Sequence, residues 1–277
     1  AHLVSELAPQ LVLLAAMRAP HLDESETKSM CEFLIESCGL DPDLPGEPLQ
    51  QTAIFYASRH GLVSLVAYLI SREVNVSRQD SNGQTPLFYA ARHGQLQCTT
   101  LLLDARCDPS CEDVLGQTAL FWAARDSQVQ CMTLMLDRGK PLDAGHSDKQ
   151  GMTPLFYAED NDCCTLLLDR RCNVDARDKS GHSALYFAAR RHMVAKVALL
   201  LQRKAEVDVQ DTHGQTPLFA AVDASHWDVC KILIEAGANA HIRDKRRRTA
   251  ITVAASRKGA CPGSMLALLQ NAKNAKN

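Results

Sequence analysis

The sequence predicts an all-α solenoid of stacked helix-turn-helix units joined by β-hairpin-like turns, and three observations predict it. The first is a recurring phrase: QTAIFYASRHG, GQTPLFYAARHG, GQTALFWAARDS, GMTPLFYAEDN, GHSALYFAARRH, GQTPLFAAVDAS and RRTAITVAASRKG are variants of one string. Its aligned Thr52, Thr85, Thr118, Thr153, Ser183, Thr216 and Thr249 are spaced by 33, 33, 35, 30, 33 and 33 residues. The second is a turn signal in phase with the phrase. Asp80, Asp113, Asp148, Asp178 and Asp211 stand three residues before Gly83, Gly116, Gly151, Gly181 and Gly214, and Asp244 stands three before Arg247. The third is a second apolar run after each phrase, as in 96–103 and 229–234. A unit this short cannot bury its apolar face alone, so neighbours must stack to build a core.

Each element of the unit has a physical reason. In Asp-x-x-Gly the carboxylate bonds nearby backbone amides and the glycine takes positive φ, which reverses the chain. Thr85, Thr153 and Thr216 precede Pro86, Pro154 and Pro217. The hydroxyl is suited to cap the helix, and the proline occupies the first helical position, where its missing N–H costs nothing. Losing one such cap is expected to cost about 1 kcal/mol. The alanine pair that follows lets the second helix pack closely.

Residues 1–48 read as a degenerate N-terminal capping unit. Residues 10–18 (QLVLLAAMR) echo the first helix, 30–37 supply the second, and the polar stretch 23–28 gives the outer edge that an end unit needs. Residues 49–270 hold seven repeats and 271–277 form a tail, so 1–277 is expected to be a single domain of eight units. The unit beginning at Thr153 is three residues short between Ala158 and Cys163, and the hairpin 139–151 before it is two residues long. A shortened helix or a local twist is expected there. The last unit drifts from the pattern around 259–263.

A period of about 33 residues with a T-P-L phrase resembles the ankyrin repeat family. The resemblance covers residues 49–270. It implies a concave face, built from first helices and hairpin tips, that holds a partner protein. The chain departs from the family where a histidine follows T-P-L: Phe55, Phe88, Phe121, Phe156, Tyr186 and Phe219 stand there instead. Aromatic packing is expected to replace the hydrogen bonds by which that histidine ties neighbouring turns.

Composition narrows the function. With 46% hydrophobic and 22% charged residues, a sizeable core is possible and disorder is excluded. Lys and Arg total 30 against 32 Asp and Glu, for a net charge of -2, so whole-chain electrostatics attract neither nucleic acid nor a membrane. The apolar stretch 11–17 is too short to span a bilayer and has no basic leader, so no membrane insertion is expected. No P-loop, GxGxxG, HExxH, nucleophile elbow or EF-hand loop occurs, so neither enzyme activity nor a cofactor is expected.

Eleven cysteines include no CxxC pair, which argues against zinc and for a reducing compartment, cytoplasmic or nuclear. The sequon at Asn75 is then fortuitous. Cys98, Cys131, Cys163, Cys164 and Cys230 fall on the inward stripe of second helices, and Cys107 and Cys172 on positions held elsewhere by Ala205 and Ala238. They read as small core residues. Cys31, Cys38, Cys111 and Cys261 have no assigned place, and Cys111 is the thiol expected to be exposed.

Candidate partner-binding residues form three groups. Arg59, Arg92, Arg125 and Arg190 end successive first helices, with His60, His93 and Arg191 beside them. They read either as a basic ladder for an acidic or extended segment, or as cations complementing helix dipoles for a few tenths of a kcal/mol. Tyr56, Tyr89, Trp122, Tyr157 and Phe187 follow the ring that replaced histidine, and partial exposure is expected of them. Lys245, Arg246, Arg247 and Arg248 form a basic hairpin tip, read as a nuclear localisation signal, a phosphate-binding spot, a dock for an acidic partner, or a solvated loop. No aromatics interleave it, so nucleic acid is not the expected partner. The expected function is a protein–protein interaction scaffold or adaptor. The alternative is a regulatory or substrate-recruiting domain of a larger enzyme whose catalytic part lies outside this chain.

Overall fold

The computed structural model describes residues 23–46, 48–138, 142–256 and 261–272. The helix expected over 10–18, residues 259 and 260 of the drift around 259–263 and the tail from 273 lie outside the described residues. The described residues form helices and turns, with isolated bridges at Gly46–Gln51 and Arg177–Ser183 and no strand. The chain divides into two compact units, 1–143 and 144–277, with the boundary inside the long hairpin 139–151.

The first unit contains α1 (Glu24–Glu36), α2 (Ala53–His60), α3 (Val63–Ser71), α4 (Pro86–Arg92), α5 (Leu96–Asp104), α6 (Ala119–Arg125) and α7 (Val129–Asp137). First helices α2, α4 and α6 pack in one row; α1, α3, α5 and α7 pack in a second. The second unit repeats the plan. Its first helices are α8 (Pro154–Tyr157), α10 (Ala184–Arg190), α12 (Pro217–Asp223) and α14 (Ala250–Ser256), and its second helices are α9 (Asn161–Asp169), α11 (Val194–Gln202), α13 (Trp227–Glu235) and α15 (Gly263–Asn271). Helix α1 starts six residues earlier than the expected 30. Asp23 Oδ1 accepts from the Glu26 amide at 2.8 Å while Glu26 Oε2 accepts from the Asp23 amide at 3.0 Å, a reciprocal cap that draws the polar stretch into the first turn.

The turn aspartates act as expected. Asp80 Oδ1 accepts from the amides of Asn82 and Gln84 at 2.9 and 3.0 Å, and the other five repeat this pattern. Successive tips are joined by backbone bonds: Ser81 donates to Leu49 and Val114 to Asn82 in the first unit, and Lys179 to Gln150, Thr212 to Ser180 and Lys245 to His213 in the second. That approach explains the glycines. Gly83 has φ +74°, and a Cβ on it would lie 3.1 Å from both Asp113 Cα and Val114 N. Arg247 adopts the same conformation at φ 61° in the last turn of the series.

The threonine caps differ from expectation. Ser183, Thr216 and Thr249 cap through their side chains, accepting from Tyr186 and Phe219 at 3.3 Å and from Thr252 at 3.2 Å. At Thr52, Thr85, Thr118 and Thr153 the residue three positions on donates instead to the threonine carbonyl. This tight first turn uses the N–H that a capping hydroxyl needs.

The shortened helix is found where it was expected, and it exposes a partner the sequence did not reveal. Helix α8 has four residues, because Ala158 leaves the helical region at ψ 119°. The missing turn removes the N–H donors that would meet its carbonyls. Lys196, on α11 and only 1% exposed, supplies them: Nζ donates to Leu155 O at 2.7 Å and Ala158 O at 2.5 Å, with Phe156 O at 3.5 Å. Burial, the largest influence, holds this lysine below its usual range.

The seven cysteines assigned to the core are buried, as is Cys31. Burial pushes Cys98 and Cys107 up to about 11, and Cys163 and Cys230 up to about 12. The exposed thiol is Cys38 rather than Cys111, which is half-buried.

Candidate partner-binding site

The rings that follow the replaced histidine are tethered to the turns. Nine residues separate each from its turn aspartate, which puts it one helical turn above the free carboxylate oxygen. Tyr89 donates to Asp80 Oδ2 at 2.8 Å, Trp122 Nε1 to Asp113 Oδ2 at 3.3 Å, and Tyr157 to Asp148 Oδ2 at 2.8 Å. Gln51 adds a bond from the preceding repeat to Asp80 Oδ2 at 2.9 Å, and Gln84 one to Asp113 Oδ2 at 3.4 Å. These polar bonds share the tying with the aromatic packing that was expected, since Phe55 meets Tyr89 edge-to-face at 5.9 Å and Phe156 meets Phe187 at 5.6 Å across adjacent repeats. Where the second ring is Phe187 and has no donor, His182 places Nδ1 3.1 Å from Asp178 Oδ2 and Nε2 3.3 Å from Asp211 Oδ2. In the last turn Arg248 clamps Asp244 Oδ2 through two nitrogens at 2.9 and 2.8 Å.

Tyr89 is consequently buried, against the partial exposure expected of it, whereas Tyr56, Trp122, Tyr157 and Phe187 are half-buried. Burial, and then the bond to Asp80, push the Tyr89 phenol well above its usual range.

In the first unit, first helices and tips bound a groove of about 380 Å³. Arg59, Tyr89, Arg92, His93 and Trp122 line it from the helices, so five of the predicted residues come together. The Trp122 ring lies between two arginines, with the Arg92 guanidinium 4.6 Å and that of Arg125 5.0 Å from its centroid. Arg92 is further fixed by Asp126 at 3.0 Å. His60 stands just outside, its ring tilted against that of Tyr56 with centroids 4.2 Å apart. Burial lowers the pKa of both His60 and His93; Arg59 lowers both further, and Arg92 adds to this at His93.

Three further lining residues were not singled out from the sequence. Leu49, Val114 and Leu115, 39%, 54% and 53% exposed, project from the tips into the same groove. The signal was present: Asp113-Val114-Leu115-Gly116 carries two aliphatics where the tip at 80–83 reads DSNG and that at 148–151 reads DKQG. A large aliphatic on a turn tip has no folding role there.

The remaining predicted residues lie in the second unit and do not form one cluster. Arg190 ends α10 exposed, its carbonyl 3.1 Å from His226 Nε2, and the Arg191 guanidinium lies 5.9 Å from the Phe187 ring centroid. Lys245, Arg246 and Arg247 are exposed on the last tip. Arg248 is turned inward by Asp244, so the basic tip has one cation fewer than its sequence suggests.

Among the described residues no group of His, Cys, Asp and Glu is arranged to hold a metal ion, and no helix is long and apolar enough to cross a membrane. A family model described as ankyrin repeats (3 copies) matches residues 14–113, 99–178, 159–244 and 185–277. Two solved structures are similar. The human ASB11 ankyrin repeat domain is 24% identical with a TM-score of 0.70, the match covering 82% of this chain and 100% of that one. The ankyrin repeat domain of Bcl-3, a member of the IkappaB protein family, is 27% identical with a TM-score of 0.68, covering 80% of this chain and 100% of that one. No curated protein sequence matches.

Proposed function

Because the chain belongs to the ankyrin repeat family, whose repeats are a general and mostly non-catalytic protein–protein interaction module, we propose that it is a scaffold or adaptor. It engages a partner polypeptide through the face formed by first helices and hairpin tips. The observation that carries this reading is the groove of the first unit, where exposed aliphatics on the tips oppose arginine and aromatic side chains on the helices. Large exposed apolar side chains beside rigid rings and guanidiniums are the composition of a contact surface. Arg190, Arg191 and the tip cations Lys245, Arg246 and Arg247 extend the proposed contact set in the second unit.

The test is affinity capture from the native cell with the wild-type chain and a Leu49→Asp/Leu115→Asp variant in parallel. Both side chains are solvent-facing, so the variant should keep the wild-type thermal transition and lose the captured proteins. An identical captured set would remove this face from the function.

A further inference from the structure

We propose that the groove of the first unit selects an extended segment of a partner protein in which acidic residues alternate with aliphatic ones, the carboxylates meeting Arg59 and Arg92 and the aliphatics meeting Leu49, Val114 and Leu115. This rests on the protein-binding reading above and adds the chemistry of the partner.

Three features of the groove favour this occupant. The first is charge. Of the carboxylates near the groove, Asp126 pairs with Arg92, while Asp80 and Asp113, each about 6% exposed, have both oxygens occupied: by backbone amides at Oδ1 and by Gln51 and Tyr89, or Gln84 and Trp122, at Oδ2. Arg59 is exposed and, among the described residues, has no ion-pair partner, while Arg92 keeps 42% of its side chain exposed beside Asp126. The turn carboxylates are therefore spent in place, Asp126 offsets Arg92 alone, and Arg59 leaves the groove with a net positive charge. The guanidiniums of Arg59 and Arg92 both hold His93 toward its neutral form, so their fields overlap on one ring.

The second feature is the separation of the two chemistries onto opposite walls, cations on the helix side and aliphatics on the tip side. An extended strand points successive side chains to opposite faces, so a chain lying along the groove sends alternate residues to each wall. The third is spacing. Arg59 and Arg92 occupy equivalent places on adjacent helices, about 8–10 Å apart as packed helix axes are. Same-face positions two and four apart in extended chain are separated by about 7 and 13 Å, which bracket that distance, so acids at either spacing, with aliphatics between them, reach both arginines through their side chains. A basic segment would be repelled by the guanidiniums, and a purely apolar one would bury them.

The experiment is selection of a phage-displayed random dodecapeptide library on the full chain, with Arg59→Glu and Leu115→Asp variants selected in parallel and thermal transitions recorded for all three. Enrichment of peptides with Asp or Glu next to Leu, Ile, Val or Phe, binding the Arg59→Glu variant at least about tenfold more weakly and losing affinity as salt rises, is the expected result. Peptides lost on Leu115→Asp but free of acidic bias, or indifferent to Arg59→Glu, would overturn the proposed partner chemistry and leave the binding face standing. No enrichment sensitive to Leu115→Asp would overturn both.

Discussion

Replacing Lys196 with methionine, nearly equal in length and uncharged, tests how the short repeat survives. The Nζ bonds to Leu155 O and Ala158 O, with Phe156 O close by, would be lost in a site that water does not reach. A buried acceptor left without a donor costs about 1–3 kcal/mol. Against two such losses stands the relief of no longer burying an amine, so a net destabilisation of about 2–4 kcal/mol is expected. Urea unfolding measures it, followed through Trp227 on α13 in a Trp122→Phe background, because the two tryptophans fall in different units. The amine also leaves a pH signature. Its folded-state pKa lies below the 10.5 of the unfolded chain, so between the two values the unfolded chain binds a proton that the folded chain does not. Stability from this group therefore rises with pH through that window, and the cost of burying the charge is fully present below it. The buried thiols, whose raised values work in the opposite sense, are common to both proteins and largely cancel in the wild-type minus methionine difference, except Cys164, which Lys196 itself influences and which a shared Cys164→Ala background removes. A loss below about 1 kcal/mol would refute the account, since one unmade buried hydrogen bond alone reaches that; so would a difference that does not change with alkaline pH.

Two further outcomes follow from single contacts. Tyr89→Phe should cost about 1–2 kcal/mol in denaturant unfolding of the first unit, because Asp80 Oδ2 loses its 2.8 Å donor and keeps only Gln51. A cost near zero would return the ring to a pure packing role. Titration of the native protein with an aromatic disulfide reagent should label Cys38 first, with Cys38→Ser abolishing the fast phase. Fast labelling that survives removal of Cys38 together with the half-buried Cys111 and Cys261 would contradict the burial of the eight core thiols.

The repeat plan was legible because it is written in residues whose local physics is strong: Asp-x-x-Gly needs only a carboxylate and a backbone free at positive φ, and the apolar stripes need only a core. The inward cysteines followed from register for the same reason. What stayed hidden depends on distances between repeats. Sequence could place Tyr89 and Trp122 after a ring but could not show that nine residues bring each polar tip to the aspartate oxygen left free by the turn. Lys196 was illegible in a stronger sense. A lysine among Val194, Ala195, Val197 and Ala198 reads as an exposed face, and only the deletion in a repeat about 40 residues earlier, together with the 41-residue reach to Leu155 O, turns it inward. The caps failed at a finer scale, where the choice between a hydroxyl and a carbonyl as first acceptor turns on a few tenths of an ångström in the first turn.

The same accounting of carboxylates explains how a chain with net charge -2 exposes cations at this groove. A turn aspartate that bonds two amides with one oxygen and a neighbouring side chain with the other is neutralised in place by hydrogen-bond donors rather than by a counter-charge. At Asp80 and Asp113 the repeat therefore removes one acid from the surface without consuming an arginine. Had the family's histidine been retained and the second ring lacked a polar tip, Oδ2 would be open to the arginines that end the first helices, as it is to Arg248 at Asp244, where the pair is closed at 2.8 Å. Replacing histidine by Phe and following it with Tyr or Trp thus does two things at once: it ties the turn, and it leaves Arg59 and Arg92 facing outward. Position along the repeat decides whether an arginine is structural, as Arg248 is, or available, as Arg59 is.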